Sequence, residues 1–128
     1  MTIKFLTVTQ VIEIHDTFLQ AYGGLPGIRD KGLLDSAVEM PKAMAFGEDL
    51  HKTLYDKASA YLYHIVKNHP FNDGNKRTGA GSALMFLRVN GVDPKYDSDS
   101  YVQLVVDIAE GKVDKNDTSW IVKNLFNI

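Results

Sequence analysis

Residues 69–77 read His-Pro-Phe-Asn-Asp-Gly-Asn-Lys-Arg, and this stretch decides how the chain is built. Apolar residues recur at helical spacing on both sides of it: Leu54, Ala58, Tyr61, Leu62, Ile65 and Val66 before it, and Ala80, Leu84, Phe86 and Leu87 after it. This periodicity predicts two buried helices joined by a short polar loop. Folding alone does not require a base, a carboxylate, an amide and two cations in one loop.

Proline sets the boundary between the first helix and the loop. His69 precedes Pro70, and a residue before proline is disfavoured in the α-helical conformation, so the helix should end near Asn68. The second helix should run from about Asn75 to a stop at Gly91. The polar loop therefore leads directly into the N-terminus of a helix.

The start of this second helix is suited to an anion. The backbone N–H groups of Gly74, Asn75 and Lys76 have no partner within the helix, and the helix dipole favours negative charge there. Lys76 and Arg77 add positive charge where acidic residues are usually the stabilising ones. Two cations at this end cost stability unless an anion binds, so we predict a phosphate site.

The other groups of the stretch fit phosphate transfer. Asp73 supplies a hard oxygen ligand for Mg²⁺, which needs only one or two protein carboxylates besides phosphates. Asn75 can hydrogen-bond a phosphate oxygen, His69 (reference pKa ~6.5) can accept a proton from an attacking hydroxyl, and Phe71 should point inward. The candidate residues are His69, Asp73 and Lys76 for catalysis, Asn72, Gly74, Asn75, Lys76 and Arg77 for nucleotide binding, and Asp73 for the metal.

A purely structural interpretation of the loop is also available. Asn-Asp-Gly-Asn is ordinary turn chemistry, with Asn72 or Asp73 as a helix cap and Gly74 at positive φ. These four residues alone would indicate a loop that only joins the two helices and binds nothing. The full stretch, with His69 at one end and two cations at the other, favours the phosphate site.

Length and composition limit the classes of protein. A chain of 128 residues predicts a single domain, residues 1–128. The net charge of −2 argues against direct nucleic-acid binding, and the absence of cysteine excludes a disulfide scaffold and a thiol nucleophile. The chain has no apolar run of about 20 residues that could span a membrane, and its first residues are too polar for a signal peptide, so we expect a cytoplasmic protein.

The rest of the chain predicts further helices and almost no strand. They are expected at Thr9–Tyr22, at Asp30–Met40 with Asp30 as the cap, at Asp99–Glu110 and at Asp117–Phe126. Residues 42–52 lack clear periodicity. The predicted fold class is all-α, a compact domain of about six helices with at most a short hairpin.

Several other residues have structural interpretations. His15 lies on the apolar stripe of the first helix and is expected to be packed in the core. His64 lies five residues before His69, a poor spacing for a zinc site on a helix. Arg29 is expected in a solvated helix start, with a role near the cleft as the alternative, and Trp120 is expected to anchor the last helix in the core.

The nine-residue stretch resembles the Fic motif, His-x-Phe-x-Asp/Glu-Gly/Ala-Asn-Gly/Lys-Arg. With Lys76 in place of the usual Gly it is most similar to the death-on-curing (Doc) branch of the Fic/Doc family. The stretches Tyr22–Asp30 and Leu33–Ala37, and Pro41, agree with that branch, so the likeness covers about residues 8–110. It implies a compact helical Fic/Doc domain that uses Mg²⁺ and ATP to modify a protein hydroxyl, with a flap at residues 43–49 that holds the target.

Two positions bear on which part of ATP is transferred. AMP-transferring Fic enzymes usually carry a second Arg where this chain has Ala80, and Gly where it has Lys76. Both changes match Doc-type toxins, which transfer the γ-phosphate to elongation factor Tu with the nucleotide reversed in the site. Gly81 and Lys67 depart from the Doc pattern, which has Asn and Arg there. An AMP transferase and a catalytically silent binding module stay as alternatives.

The resemblance also implies how the domain is controlled. Many Fic enzymes inhibit themselves with a helix marked Ser/Thr-x-x-x-Glu-Gly/Asn, whose Glu meets the second Arg. Glu110 is followed by Gly here, but Val106 stands where Ser or Thr is needed, and Ala80 replaces that Arg. We therefore expect a small antitoxin to inhibit the domain in trans, as a helix bound in an apolar groove.

Overall fold

The computed structural model describes residues 2–126. The helices are α1 (Val8–Tyr22), α2 (Lys31–Glu39), α3 (Leu54–Asn68), α4 (Asn75–Val89), α5 (Ser98–Ala109) and α6 (Lys115–Leu125). A 3₁₀ turn covers Met40–Lys42, and β1 (Met44–Ala45) pairs antiparallel with β2 (Glu48–Asp49). Six helices and one short hairpin in this part of the chain confirm the predicted all-α class.

Helix α3 lies at the centre of the fold. It packs against α2, α4, α5 and α6, and every residue from 57 to 62 is buried. The Tyr61 hydroxyl accepts a hydrogen bond from the backbone N–H of Leu6 (2.8 Å), which fixes the N-terminal segment to this helix. Because α3 is buried and ends at the motif, the motif loop is anchored to the core at its first residue.

Two glycines let α4 approach its neighbours closely. A Cβ atom on Gly79 would lie 2.9 Å from Val66 Cγ2 and 3.2 Å from the Leu62 carbonyl oxygen of α3. A Cβ atom on Gly81 would lie 2.6 Å from the Phe18 ring of α1. Contacts of this length force a shift, so Gly79 and Gly81 together fix how α4 is seated between α1 and α3.

Some predicted boundaries were wrong by a few residues. Helix α2 ends at Glu39, because Pro41 belongs to the 3₁₀ turn that follows. Helix α6 begins at Lys115 rather than Asp117, because the Asp114 side chain accepts the backbone N–H of Asp117 (2.8 Å) as the N-cap.

The predicted core position of Trp120 was wrong, since its side chain is 69% exposed. Helix α6 instead buries Thr118 and Val122, which lie one helical turn apart and face the core. Trp120 is two residues from each of them, on the opposite side of the helix. Spacing within so short a helix is compatible with more than one buried face.

The flap is a tight hairpin with an apolar tip. Phe46 and Gly47 join the two strands at φ 53° and 79°, the left-handed values that two-residue hairpin turns require. Phe46 is fully exposed, and Met44 and Leu50 beside it are more than half exposed. The predicted short hairpin is confirmed. None of the helices within residues 2–126 is long and apolar enough to cross a membrane.

His64 on α3 makes stability depend on pH. Burial, and secondarily the charge of Lys115, lower the pKa of His64 from 6.5 to about 4, and His64 Nε2 has no hydrogen-bond partner within the described chain. Between these two pKa values the unfolded state binds the proton more readily than the folded state. The free energy of unfolding should therefore be highest above pH 6.5 and fall as the pH is lowered towards 4.

His64→Gln should remove part of this pH dependence. Burial also lowers the pKa of His51, so some slope will persist in the variant. Urea unfolding at several pH values between 7.5 and 4 should give a smaller loss of stability in the variant than in the wild type. Identical slopes for both proteins would contradict this assignment.

Candidate active site

The motif loop turns where the sequence predicted. Helix α3 ends at Asn68, and His69 adopts the left-handed conformation (φ 51°, ψ 53°) before Pro70. The His69 side chain is exposed, whereas Phe71 is completely buried, as predicted. The loop therefore presents the His69 side chain to solvent while Phe71 is held in the core.

The N-terminus of α4 carries no side-chain cap in the described structure. Gly74 occupies the N-cap position at φ 78°, so its predicted positive φ is confirmed and the alternative of Asn72 or Asp73 as the cap was wrong. The first-turn N–H groups, beginning with that of Asn75, are left open for a ligand. The other α-helices of residues 2–126 all start with a side-chain cap, which marks α4 as different.

A pocket of about 590 Å³ lies at this helix start, a size typical of small-molecule sites. It is lined by six residues of the motif and by three others: His69, Asp73, Gly74, Asn75, Lys76 and Arg77, with Val66, Lys67 and Ala109. The structure thus brings the predicted site residues together with one exception. Asn72 is outside the lining, because its side-chain N–H donates to the Pro26 carbonyl oxygen (3.0 Å).

Three cations line the pocket: Lys67, Lys76 and Arg77. Within residues 2–126 none of Lys67, Lys76 and Arg77 forms an ion pair. The Arg77 guanidinium instead lies over the ring of Tyr22, with 4.3 Å between its central carbon and the ring centre. Lys67 is a third cation of the site, and the sequence had shown it only as a departure from the Doc pattern.

Asn75 closes the loop with its side chain. It is 4% exposed, its Oδ1 accepts from the Phe71 N–H (2.9 Å), and its Nδ2 donates to the Phe71 carbonyl oxygen (3.0 Å). Both side-chain polar atoms are thus engaged within the loop. The backbone N–H of Asn75, at the first position of α4, has no partner within the helix, and phosphate binding by Asn75 stays a prediction.

Asp73 is an exposed carboxylate held in place by backbone donors. Its Oδ2 accepts from the Leu25 N–H (3.2 Å) and its Oδ1 from the Gly74 N–H (2.9 Å), and these two bonds, with the charge of Arg77, lower the pKa of Asp73. The carboxylate is therefore ionised at neutral pH and has further lone pairs free. This donor chemistry fits one protein ligand to Mg²⁺ bound with phosphates.

Residues 23–30, here termed the clasp segment, hold the motif loop from outside. The N–H groups of Arg29 and Asp30 both donate to the Pro70 carbonyl oxygen (2.7 and 3.0 Å), and that of Asn72 donates to the Gly27 carbonyl oxygen (3.0 Å). A Cβ atom on Gly27 would lie 2.9 Å from Asn72 Nδ2, at a φ of 104° that favours glycine. The clasp segment therefore needs glycine to lie this close to the motif.

Arg29 braces the end of α3. Its Nε donates to the His69 carbonyl oxygen (2.7 Å) and its Nη2 to the Asn68 carbonyl oxygen (2.9 Å). Arg29 is exposed directly before the N-cap of α2, as predicted for a solvated helix start, and its two contacts with the end of α3 also favour the alternative role near the cleft. Asp30 does cap α2 as predicted, since its side chain accepts the Leu33 N–H (2.9 Å).

His15 links α1 to the motif loop. It is 1% exposed, which confirms its predicted core position, and its ring stacks on Phe71 with 3.8 Å between centres and 8° between planes. Its Nε2 donates to the Asp73 carbonyl oxygen (2.8 Å), and its Nδ1 lies 3.2 Å from Asp16 Oδ1. In the sequence, the only indication of this contact with the motif loop was a polar residue on the apolar stripe of the first helix.

Replacing Lys76 and Arg77 together by Gln should weaken ATP binding without lowering the stability of the unliganded protein. Relief of two unfavourable charge–dipole interactions (about 0.3–1 kcal/mol each) offsets loss of the Arg77–Tyr22 contact (about 0.5–1 kcal/mol). The melting temperature of the unliganded protein should therefore be unchanged or slightly higher, while ATP affinity measured by calorimetry falls. A clear drop in melting temperature would show that the two cations serve folding.

The geometry can be compared with known proteins. The family model described as Fic/DOC family matches residues 5–87. The chain is 32% identical over 123 residues to the protein kinase doc of Escherichia phage P1, covering 96% of each chain. It is 47% identical over 79 residues to the toxin Doc of Mycolicibacterium smegmatis, covering 62% of this chain and 61% of that relative.

Proposed function

Because this chain belongs to the Fic/Doc family and is most similar to its Doc branch, we propose that it is a toxin that transfers the γ-phosphate of ATP to a hydroxyl of a target protein. The observation that carries the proposal is the uncapped start of α4, flanked by Lys76 and Arg77 and facing the same pocket as His69 and Asp73. A site with open amides, free cations, a base and a metal-binding carboxylate is suited to phosphoryl transfer.

The site residues divide the chemistry among them. The first-turn amides of α4, with Lys76 and Arg77, bind the terminal phosphate and stabilise the charge of the transition state. Asp73 would hold Mg²⁺, which would supply further neutralisation of the phosphates. His69 accepts the proton of the target hydroxyl as its oxygen bonds to the γ-phosphorus, and the bond to the β–γ bridging oxygen breaks to release ADP.

AMP transfer on the same scaffold is the second candidate function. In that reaction the hydroxyl attacks the α-phosphorus and pyrophosphate leaves. Ala80 and Lys76 favour phosphate transfer, because AMP-transferring Fic enzymes usually carry Arg at the position of Ala80 and Gly at the position of Lys76. The complete set of motif residues argues against a silent binding module: His69, Asp73, Asn75, Lys76 and Arg77 are all retained.

Labelled ATP distinguishes these functions. The protein is incubated with Mg²⁺ and ATP labelled at the γ or the α position, with purified elongation factor Tu and, separately, a bacterial lysate. Label from γ alone supports the kinase, and label from α supports AMP transfer. Absence of label in both, with ATP binding retained, supports the silent module. His69→Ala serves as the blank for contaminating kinases.

The flap and an antitoxin complete the proposal. The flap, residues 43–49, would hold the target segment, and Met44 and Phe46 give it exposed apolar side chains for this role. A translation factor as target implies action in the cytoplasm. A small antitoxin in trans would inhibit the domain by inserting a helix into an apolar groove. Expression alone and with the neighbouring reading frame tests this part, since equal growth and no complex on gel filtration would contradict it.

A further inference from the structure

Lys57 is a buried lysine that the proposed chemistry does not use. It lies near the start of α3 with only 3% of its side chain exposed, and it opens the run of residues 57–62 that is wholly buried. It does not line the phosphate pocket. An ammonium group is costly to bury unless it is paired, so the partners of Lys57 indicate what the residue serves.

Both partners of Lys57 lie where the chain leaves the flap. The Nζ atom forms an ion pair with Asp49 Oδ2 of β2 (3.3 Å) and donates a hydrogen bond to the His51 carbonyl oxygen, two residues further on. These two contacts connect the second strand of the flap to the central helix of the fold. They are here termed the Lys57 link.

The other end of the flap is fixed by packing. The 3₁₀ turn Met40–Lys42 comes shortly before β1, packs against α3 and buries Pro41. Between these two attachments each strand has only two residues, and a two-stranded hairpin is marginally stable at best by itself. At the tip Phe46 is fully exposed, so the direction in which the flap projects is set at its base.

A contribution to stability alone gives a weaker reason for a lysine at this position. An ion pair with a buried member is often no more stabilising than an apolar side chain of similar volume, and Asp49 is 50% exposed, which weakens the attraction further. A methionine could fill the same space in α3 without the cost of desolvation. It could not supply directed bonds to the strand that leaves the flap.

We propose that Lys57 is a positioning residue, which fixes the second strand of the flap to α3 and so holds the flap in place for the target segment that carries the hydroxyl. This role rests on the proposed function, which assigns target binding to the flap. A flap that is fixed beforehand loses less conformational freedom when the target binds. Loss of the Lys57 link should therefore raise the KM for the target protein, whereas kcat should be nearly retained because Lys57 lies outside the phosphate pocket.

Two variants remove the link to different extents. Lys57→Met removes both contacts at nearly constant side-chain length, and Asp49→Asn neutralises the half-exposed partner without changing α3. Lys52→Gln is the matched control, since it removes the exposed ion pair between Lys52 and Glu48 (3.2 Å) on the same strand. If Lys57→Met does not fold, Asp49→Asn serves for both of the following measurements.

Amide hydrogen exchange followed by NMR reports on the flap in the absence of any ligand. The Leu50 N–H donates to the Ala43 carbonyl oxygen (3.0 Å) at the base of the hairpin, so its exchange rate measures local opening. After correction for global unfolding, measured on amides in the middle of α3, Leu50 should exchange about tenfold faster in Lys57→Met and about threefold faster in Asp49→Asn. Lys52→Gln should exchange as the wild type does.

Steady-state transfer from Mg-ATP to purified elongation factor Tu tests the consequence for the target. Lys57→Met should raise the KM for that protein about fivefold, with kcat and ATP affinity changed less than about twofold. Wild-type exchange at Leu50 in both variants, or a loosened flap with an unchanged KM, would overturn the role of Lys57. A wild type that transfers no phosphate would instead count against the proposed function, and the exchange rates would still decide whether Lys57 fixes the flap.

Discussion

His69→Ala is expected to lower the rate of transfer by about 10²–10⁴-fold, the usual cost of losing a general base. The His69 side chain is exposed in a loop, outside the packed core. What the fold uses at this position is the His69 carbonyl oxygen, which Arg29 Nε contacts at 2.7 Å and which the variant retains. The melting temperature should therefore change little.

The left-handed backbone of His69 calls for a matched variant. Asn adopts this conformation more readily than Ala does and cannot act as a base near neutral pH, so His69→Asn preserves the backbone preference while removing the function. Both variants should bind ATP with an unchanged dissociation constant, because the phosphates contact α4 and the cations. Transfer near the wild-type rate by either variant would exclude His69 as the base.

The features predicted correctly from sequence are those with local causes. Pro70 ends α3 at Asn68 whatever surrounds it, and Gly74 supplies the positive φ at the N-cap of α4. The two cations at that helix start were informative because they oppose a local electrostatic preference. The motif loop and its open helix start could therefore be deduced before any tertiary contact was known.

The features that were missed depend on contacts between distant segments. Arg29 looks solvated in sequence, yet it contacts carbonyl oxygens 39 and 40 residues further along the chain. The engagement of the Asn75 side chain with Phe71, rather than with a ligand, depends on how the loop folds back. Trp120 was misplaced because several faces of α6 could be buried, and only packing against α3 selects one.

Phe71→Ala is expected to destabilise the protein by about 3–5 kcal/mol, the usual cost of removing a fully buried Phe. For a domain of this size that corresponds to a fall in melting temperature on the order of 10–20 °C. The ring stacks on His15 inside the motif loop, so its loss also frees the backbone that positions Asp73. Thermal unfolding followed by circular dichroism measures the first effect.

Phe86→Ala separates the effect on stability from the effect on the site. Phe86 is equally buried, but it lies on α4 against Phe5 and Tyr61, away from the motif loop. Both variants should lose similar stability, so transfer rates are compared well below both melting temperatures. If Phe71 connects the core to the site, the turnover rate should fall at least tenfold more in Phe71→Ala than in Phe86→Ala. The reason is that Phe71, unlike Phe86, lies in the loop between His69 and Asp73. Equal turnover in the two folded variants would mean that Phe71 contributes to folding alone, and that the clasp segment and His15 suffice to hold the loop.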